Sequence, residues 1–457
     1  MTIDILVAEI GSTTTVVNAF DGINSNNPRF LGQGQAFTTV ESDGVTIGLE
    51  SAVKALSARL SANSLNYGEM LATSSAAGGL RMTVHGLVYD MTVRAAKEAA
   101  LGAGANLKLA TAGFLNQDDL EAIQQINPNL ILIAGGTDYG EKETALKNCE
   151  TLSEINIRPP VIYAGNIQNR ASVKSILQSA GFPCYLTDNV YPRLDDLNIE
   201  PTRKIIQAVF EEHITKAPGM SRVRDMVKGT IMPTPGAVME CARQLYSEMG
   251  DLLVIDVGGA TTDVHSVTEG SDEVAAMLTS PEPFAKRTVE GDLGVYVNAA
   301  NIVELFGERQ LSIDSGVDVK EILQGISPIP QTAEQFAFAE ALTWRAASTA
   351  LTRHAGKFRS LFTPSGKKTI AEGKDLTRVK YLIGTGGALT RLPGSENILR
   401  RLRDINTSNA LLLPKRGVMT VLKDNDYIMA SLGALSVKYP HSAIHLMKKS
   451  LMLDVQS

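Results

Sequence analysis

The sequence predicts an α/β protein built from more than one domain, and three features support this prediction. Its 457 residues exceed what a single hydrophobic core usually serves. Two stretches far apart in the chain share a pattern of a strand, a turn of small residues and a second strand. Between them, strand-like and helix-like segments alternate. We therefore expect lobes with a cleft between them and an additional α/β region inserted in the chain.

The first strand, turn and strand pattern opens the chain. Ile3 to Ile10 is a β-branched run long enough for a buried strand, and it ends at the sequence GSTTT. Val16 to Phe20 is the expected second strand, and Asp21-Gly22 after it is a hairpin signal. The chain is therefore predicted to begin with an antiparallel hairpin that closes over small hydroxylated residues.

The same pattern recurs from Leu252 to Val257, an apolar run with one acid near its end. This run ends at the sequence GGATT, and Asp263 to Thr268 again has the composition of a strand. Because the two patterns match, we interpret them as one structural device that is used twice.

The region from about residue 85 to 200 has a different pattern, in which strand-like and amphipathic helical segments alternate. This spacing is typical of parallel strands joined by crossover helices, so we predict a doubly wound insertion. Met91 to Ala105, rich in Ala, Lys and Glu, is predicted to be a further helix. The predicted strands are Asn129 to Ala134, Val161 to Ala164 and Cys184 to Leu186, and the predicted helices are Gln117 to Ile126 and Ala171 to Leu177.

A third glycine turn, GTGGALTR, follows the apolar run from Val379 to Ile383 and precedes a helix-like stretch that extends to Arg403. Near the end, Asp426 to Leu435 is predicted to be a helix with one small residue, Gly433, in its interior. A glycine inside a helix costs about 1 kcal/mol relative to alanine. We therefore expect Gly433 to allow close packing against another helix.

The composition excludes several classes of protein. The formal charge of -6, with Lys and Arg dispersed among acids, argues against a surface dedicated to nucleic acid or anionic membrane. Cys149, Cys184 and Cys241 lie far apart without a CxxC pair, so we expect buried thiols. The start of the chain has no signal-peptide pattern, and no apolar run reaches membrane-spanning length. We expect a cytoplasmic protein.

The small residues of the three turns suit the binding of a nucleotide. Phosphate oxygens need many hydrogen-bond donors at short range, and backbone N–H groups can supply them only where side chains do not block the approach. Ser and Thr add hydroxyl donors. The third turn lies between a strand and a helix, where the backbone can approach a base and ribose, although a simple tight turn is the alternative. The predicted nucleotide-binding residues are Gly11, Ser12, Thr13, Thr14, Gly258, Gly259, Ala260, Thr261, Thr262, Gly384, Thr385, Gly386, Gly387 and Ala388.

Three acids accompany the first two turns. Glu9 and Asp256 each lie two residues before the first glycine of a turn, and Asp263 follows the second turn. Carboxylates beside polyphosphate would repel it unless a cation intervenes, which implies Mg²⁺ held largely through water. These acids are our candidate catalytic and metal-binding residues. The alternatives are that Glu9 and Asp256 are solvated strand-end charges and that Asp263 binds its own backbone in the turn.

Other nucleotide and metal motifs are absent from the sequence. No GxxxxGK[ST] pattern is present, because the stretch from Gly366 to Thr369 breaks it, and no GxGxxG pattern occurs. HExxH is also missing, so a catalytic zinc site has little support.

The motifs EIGSTTT, DVGGATTDV and GTGGA resemble, in this order, the two phosphate turns and the adenosine turn of the actin, Hsp70 and sugar-kinase group. The resemblance implies an actin-like ATPase (ASKHA) fold with two RNase H-like lobes and an α/β insertion. Met232 to Val238 is similar to the first interdomain connecting helix, and Ala430 to Leu435 to the second. The implied segments are a first lobe at 1–84, the insertion and a connecting segment at 85–228, a connecting helix and second lobe at 229–425, and a C-terminal helix returning to the first lobe at 426–457.

Within this group the whole chain is similar to the glutamate-mutase-associated MutL or GlmL family, which shares only a name with the mismatch-repair protein. The stretches LATSSAAGGLRMTVHGLV, LILIAGGTDYG and IMPTPGAVMECA support this resemblance. It implies an ATP-dependent chaperone, and a slow Mg²⁺-dependent ATPase, that reactivates an adenosylcobalamin-dependent mutase such as glutamate mutase. Whether the chain forms a homo-oligomer stays open.

Three departures limit this comparison. Glu9 stands where kinases and chaperones of the group usually have Asp, and Met232 where Hsp70-like members carry Glu. Asp263 to Thr268 nearly matches the cobalamin-binding pattern DxHxxG, but Thr268 replaces the glycine, so we do not expect His265 to bind cobalamin. Slow hydrolysis through Asp256 or Asp263 would suit a conformational switch.

Three other functions remain open from the sequence alone. A small-molecule kinase of the same fold would use Asp256 or Asp263 as base toward a substrate hydroxyl. An electron-transferring activator ATPase would need an iron–sulfur cluster, which the dispersed cysteines disfavour. A scaffold that only retains nucleotide is the third.

Overall fold

A computed structural model of the chain describes residues 2–38, 46–75, 80–103, 105–194, 196–214, 220–227, 231–279, 281–363, 366–408 and 410–453. The chain divides into two compact units. Unit 1 comprises Met1–Thr38, Ile47–Ala72 and Ala237–Ser457, and unit 2 comprises Thr39–Thr46 and Thr73–Gly236. Part of the family stretch at 71–88, residues 76–79, lies outside the described residues, as do residues 228 and 229 at a predicted segment boundary. The four predicted segments stay a prediction.

The first sheet of unit 1 forms at the start of the chain. Its elements are β1 (Thr2–Ile10), β2 (Thr14–Asp21), β3 (Arg29–Phe37), α1 (Thr46–Arg59) and β4 (Asn66–Ser74). Four of its strands are adjacent in the order β3-β2-β1-β4, and β2 is antiparallel to both β1 and β3. The end of β1 is buried at consecutive residues, as expected of a strand covered on both faces. Both strands predicted here are confirmed.

Unit 2 contains a five-stranded sheet of order β6-β5-β7-β8-β9, in which every pair of neighbours is parallel. One core, with Leu132, covers one face and another, with Ile131 and Ile133, covers the other, so the predicted doubly wound architecture is confirmed. The elements are β5 (Leu80–Gly86), a π-helical turn (Tyr89–Val93), α2 (Arg94–Gly102), β6 (Ala105–Ala112), α3 (Gln117–Ile126), β7 (Leu130–Ile133), α4 (Glu143–Leu152), β8 (Val161–Tyr163), a 3-10 turn (Ile167–Asn169), α5 (Arg170–Ser179), β9 (Cys184–Leu186), α6 (Glu200–Ile214), α7 (Met220–Met226) and β10 (Ile231–Pro233).

The remainder of the described chain forms the second sheet of unit 1, a separate pair of antiparallel strands, β14 and β15, and a set of helices. The sheet order is β13-β12-β11-β16-β17. β12 is antiparallel to both β11 and β13, and β16 is parallel to both β11 and β17. The elements are α8 (Thr234–Met249), β11 (Leu252–Val257), β12 (Thr262–Val267), α9 (Asp272–Ala275), β13 (Ala285–Glu290), α10 (Ala299–Phe306), α11 (Glu308–Ser315), α12 (Val319–Gln324), α13 (Ala333–His354), β14 (Lys357–Thr363), β15 (Gly366–Glu372), β16 (Tyr381–Thr385), α14 (Gly386–Arg391), α15 (Ser395–Arg403), β17 (Thr420–Lys423), α16 (Met429–Ser436) and α17 (Pro440–Ser450).

The two sheets of unit 1 are built in the same way. Each sheet contains three consecutive antiparallel strands, and the first of these three also pairs with the strand that follows them in the chain. The resulting orders are β3-β2-β1-β4 and β13-β12-β11-β16. This repetition is what an actin-like ATPase fold with two similar lobes requires. The predicted fold class, α/β with this architecture and an α/β insertion, is confirmed.

Two helices differ from the sequence prediction. The stretch expected to run to Arg403 is two helices, α14 and α15, because Leu392 is extended before Pro393, which lacks the N–H that a continuous helix needs. The helix expected from Asp426 begins only at Met429, because Tyr427 has a left-handed φ of 54°. Asp424 instead caps the helix that follows.

Cys149, Cys184 and Cys241 are free thiols, and the first and last of them are buried. Among the helices that the structure describes, none combines the length and hydrophobicity of a bilayer-spanning segment.

Gly433 allows α16 to pack closely against α8, as predicted. A Cβ added at Gly433 would overlap the backbone carbonyl group of Ala237. Any side chain therefore requires the two helices to separate.

We predict that Gly433→Ala destabilises the protein by about 1–3 kcal/mol, because overpacking against backbone outweighs the gain in helix propensity. Gly325→Ala is the matched control, since no atom lies within 4 Å of a Cβ there. Denaturant unfolding of both variants checks this, and equal stability of Gly433→Ala and wild type would contradict the close packing.

Candidate functional site

The first turn connects β1 to β2. The Gly11 N–H donates to the Thr14 carbonyl oxygen at 3.0 Å and closes the turn around Ser12 and Thr13. A Cβ on Gly11 would lie 2.7 Å from the same oxygen, so glycine is required here for steric reasons. The acid Glu9 lies at the end of β1, directly before this turn.

The second turn connects β11 to β12 and repeats the first. The Gly258 N–H donates to the Thr261 carbonyl oxygen at 2.9 Å and closes the turn around Gly259 and Ala260. Asp256 lies before this turn as Glu9 lies before the first. The interpretation of one device used twice therefore describes the hydrogen bonding as well as the sequence.

In the second turn, the backbone carbonyl oxygens accept hydrogen bonds, whereas two backbone amides have no acceptor among the described residues. The Tyr296 N–H donates to the Gly259 carbonyl oxygen at 2.9 Å, and the Asn298 side chain donates to that of Ala260 at 2.7 Å. Within the described part of the chain, the amide N–H groups of Gly259 and Ala260 have no acceptor. These two donors can therefore bind an anion.

The structure brings the two turns into contact. A Cβ on Gly259 would lie 3.2 Å from both Cγ2 and Oγ1 of Thr13. Each turn belongs to a different sheet of unit 1, so neither sheet alone forms this surface. An anion next to both turns could accept hydrogen bonds from both.

The third turn lies beside the second. Thr385 ends β16, and Gly386 begins α14 with φ of +81°, a conformation that favours glycine. A Cβ on Gly386 would overlap the carboxylate of Asp256. Gly387 next to it faces open space. This turn therefore approaches the acid of the second turn through bare backbone.

The other predicted nucleotide-binding residues have diverse surroundings. Gly384 lies within β16, where a Cβ would be 2.7 Å from the side chain of Leu399. The Thr262 hydroxyl donates to the Leu293 carbonyl oxygen at 2.7 Å, and that of Thr261 to the Asp263 carboxylate at 3.2 Å. Ser12 is exposed, Thr13 and Thr14 are half-buried, and Ala388 is buried.

Glu9 is buried at the junction of the sheets. Its Oε1 accepts a hydrogen bond from the Tyr427 hydroxyl at 3.0 Å, whereas Oε2 has no partner among the described residues. Burial, together with the charge of Asp424, raises the pKa of Glu9 to about 7, although the Tyr427 hydrogen bond and Arg391 act in the opposite direction. Arg391 also lies over the Tyr427 ring, 5.6 Å from its centroid.

Asp256 lies close to other acids. Burial raises its pKa well above the ordinary range, and repulsion from Asp263, Glu9 and Asp424 adds to this, while Arg287 opposes it. These carboxylates are therefore close enough to destabilise one another's charged forms. Protonation or a bound cation would relieve the repulsion.

Asp263 differs from the other two predicted ligands because it already has a cationic partner. Its Oδ1 accepts hydrogen bonds from Arg287 Nε at 3.1 Å and Nη2 at 2.6 Å, and both side chains are buried. Removing one member of such a pair leaves an uncompensated buried charge. The salt bridge thus gives Asp263 a structural role in addition to any functional one.

Mg²⁺ fits this environment in part. The unpartnered Oε2 of Glu9 and the mutual repulsion of Glu9, Asp256 and Asp424 provide oxygen ligands that a cation would stabilise. Among the described residues, no group of three or more His, Cys, Asp and Glu side chains is arranged to hold a metal ion directly. Binding largely through water stays a prediction.

Sequence reasoning missed four residues of this site: Arg287, Arg391, Asp424 and Tyr427. Asp424 accepts hydrogen bonds from the Thr385 hydroxyl at 3.0 Å and from the Met429 amide at 2.9 Å. An acid before an apolar helical stretch is a helix-cap signal, which could have identified Asp424. Arg287 has no comparable signal. His265, the near-match residue, is buried in β12.

We predict that Glu9→Gln changes how stability depends on pH in Mg²⁺-free, nucleotide-free buffer. The folded-state pKa is raised from 4.5 to about 7, so wild type loses stability as pH rises between these values, because the unfolded chain releases its proton first. The variant should gain up to about 3 kcal/mol relative to wild type between pH 5 and pH 8.

Urea unfolding at several pH values measures this difference. Glu304→Gln, at an exposed position of α10, is the control and should follow wild type. Parallel pH profiles for wild type and Glu9→Gln would show that Glu9 is ionised normally in the folded protein.

Comparison with known proteins identifies similar sequences along the whole chain. The family model described as MutL protein matches residues 5–451. Protein MutL from Clostridium tetanomorphum is 38% identical over 462 residues, which cover 98% of this chain and 99% of that protein.

Two solved structures resemble the chain more distantly. A diol dehydratase-reactivating factor in nucleotide-free form has a TM-score of 0.37 and 10% identity, covering 96% of this chain and 100% of that chain. A glycerol dehydratase reactivase has a TM-score of 0.32 and 10% identity, covering 94% and 99%.

Proposed function

The chain belongs to the MutL protein family, and we propose that it is an ATP-dependent reactivating chaperone for an adenosylcobalamin-dependent mutase of the glutamate mutase type. In this proposal ATP binding and slow hydrolysis promote the exchange of damaged cobalamin for intact cofactor. The protein would act in the cytoplasm.

The observation that carries the proposal is the contact between the two turns at Thr13 and Gly259. A polyphosphate is long enough to accept hydrogen bonds from both turns, whereas a single anion such as sulfate needs only one. The unused amides of Gly259 and Ala260 supply donors on one side. The hydroxyl groups of Ser12, Thr13 and Thr14 supply them on the other.

The remaining predicted residues are assigned by the turn to which they belong. Gly386, Gly387 and Ala388 begin α14 and would contact the adenosine. Glu9 and Asp256 would hold Mg²⁺ through water, and the bound ion would neutralise phosphate charge. Both carboxylates would then be ionised, because a nearby cation lowers their pKa.

Water attack on the terminal phosphate needs a group that orients the water. Met232, at the position where relatives of the group have Glu, is a buried thioether and cannot do this. Asp256 is the better candidate, since Arg287 already occupies Asp263. Phosphoryl transfer depends mainly on positioning and charge stabilisation, so a poorly oriented water implies slow hydrolysis.

We predict that Gly259→Val weakens the binding of Mg-ATP by about tenfold to a hundredfold. The valine would crowd Thr13 and cover an amide donor, and a hydrogen bond to a charged group is worth about 1.5–3 kcal/mol. Isothermal titration calorimetry measures this, with Gly325→Val, at an unobstructed position, as control. If wild type took up no adenine nucleotide, the nucleotide site would be excluded.

We also predict that wild-type protein with Mg-ATP and free adenosylcobalamin restores the activity of inactivated glutamate mutase, and that Asp256→Asn does not. The variant removes the acid that would orient water and hold the ion. Recovery no greater than in a reaction without this protein would exclude the chaperone role. ATP turnover stimulated by a sugar or carboxylic acid, without reactivation, would favour a kinase instead.

A further inference from the structure

Apolar side chains are exposed along one edge of the unit 2 sheet. Because the strands of a parallel sheet run in one direction, their carboxyl ends lie at the same edge. Among the side chains of unit 2 that the structure describes, every large apolar one that is exposed follows such a strand end. They are Val88 and Tyr89 after β5, Phe114 after β6, Tyr139 after β7, Ile167 after β8 and Leu194 after β9. We call these six residues the carboxyl-edge surface.

The exposure of this surface is large. Tyr139 is 75% exposed, Leu194 72% and Phe114 59%. Single exposed apolar residues are normal on any protein surface. Here each of the five strands is followed by at least one, and they are confined to the edge at which doubly wound sheets bind their partners. Such a set marks an interaction site.

Polar side chains, of which Asn166 and Asn189 are buried and Asp138 is half-buried, fix the backbone beneath the surface. Asp138 Oδ1 accepts hydrogen bonds from the Asn189 side chain at 3.1 Å and the Ile167 amide at 2.9 Å, joining the segments after β7, β8 and β9. Asn166 Oδ1 accepts one from the Tyr139 amide at 3.2 Å. Because these segments are already ordered, binding a partner there costs little conformational entropy.

Tyr139 adds a second indication of function. Its φ is +64°, an uncommon value for an aromatic residue, and its side chain contributes little packing because it is exposed. Unusual backbone conformations that packing does not explain are concentrated at functional sites. Tyr89 lies in a π-helical turn, which is also frequent at such sites.

The charged side chains around the surface identify the kind of partner. The exposed acids in these segments and the helix starts beside them outnumber the exposed bases. The acids are Asp90, Asp118, Glu143, Asp188 and Asp196, and the bases are Lys142 and Arg193. Asp188 is paired with half-buried Arg170 at 2.9 Å, and half-buried Lys97 lies over the Tyr89 ring, which leaves four exposed acids around the surface that are unpaired among the described residues. An anionic lipid or nucleic acid would be repelled, and a second copy of the chain would bring the same acids together.

We propose that the carboxyl-edge surface is the docking site for the mutase, and that it binds an apolar patch of the mutase bordered by Lys and Arg side chains. The choice of the mutase rests on the proposed function, whereas the surface rests on the exposure and charge described above. Aromatic side chains at the centre of an interface commonly dominate its affinity. Tyr139, which follows the central strand β7, fills that role here.

The test uses a variant of the full chain, Phe114→Ser/Tyr139→Asn/Leu194→Ser. Asparagine is chosen at 139 because it tolerates positive φ. The matched control is Ile313→Ser/Val418→Ser/Met452→Asn in unit 1, where the side chains are 67%, 62% and 78% exposed and Met452 also has a positive φ of 55°. Binding to immobilised glutamate mutase is measured with Mg-ATP present, and ATP binding by calorimetry.

We predict that the carboxyl-edge variant binds the mutase at least about thirtyfold more weakly, while the control variant binds it as wild type does. Both should retain wild-type ATP affinity, which also shows that they are folded. If the carboxyl-edge variant binds the mutase as tightly as wild type, the docking site is wrong and the chaperone function stands. If wild type neither binds nor reactivates the mutase, both proposals fail.

Two further measurements test the choice of partner. Asp90→Asn/Asp196→Asn should slow association with the mutase and reduce its salt dependence, because rim charges act mainly on the association rate. Unchanged association kinetics would overturn the basic border of the partner. Sedimentation of wild type and the carboxyl-edge variant detects self-association, and a wild-type dimer that the variant lacks would assign the surface to a second copy instead.

Discussion

Mutual repulsion among three buried carboxylates, Glu9, Asp256 and Asp424, is the constraint on which the candidate site depends. The strands that carry Glu9 and Asp256 belong to different sheets. Burial raises the pKa of all three acids; Asp424 raises that of Glu9 further, and Glu9 and Asp424 both raise that of Asp256. A folded protein tolerates such a group only if protons or cations neutralise it. With its pKa raised to about 7, Glu9 is partly protonated near neutral pH in the nucleotide-free site. In the proposed function, binding of a divalent ion with a polyphosphate would displace this proton, so that nucleotide binding would be coupled to proton release.

Asp424 connects this group of acids to other elements of unit 1. It accepts hydrogen bonds from Thr385 in the third turn and from Met429 at the start of α16. On the same helix, the Ser431 hydroxyl accepts a hydrogen bond from Asn18 in the first sheet at 2.8 Å, and Gly433 packs on α8. α16 thus connects the third turn, through Asp424, with the first sheet, through Ser431.

The sequence predicted the parts of the site that depend on local backbone geometry. A turn such as GSTTT or GGATT needs glycine at its start for steric reasons, so Gly11 and Gly258 mark it in the sequence. Strand lengths and the doubly wound region followed from hydrophobic periodicity. The predicted start of α16 was wrong because Tyr427 adopts a left-handed conformation that no local sequence signal indicates. The hydrogen-bond partner of Tyr427 is Glu9, more than four hundred positions away in the chain.

Charge pairing and exposure could not be predicted, for the same physical reason. The salt bridge of Arg287 with Asp263 joins neighbouring strands whose register the sequence does not specify. Similarly, Phe114 and Tyr139 follow buried strands and have no periodicity of their own, so sequence alone does not distinguish a core residue from an exposed one. Only the common direction of the five strands brings these side chains to one edge. Folding does not require aromatic residues there, because Asp138 and Asn166 already hold the segment of Tyr139 and Asn148 holds that of Phe114. Their presence is therefore better explained by a partner.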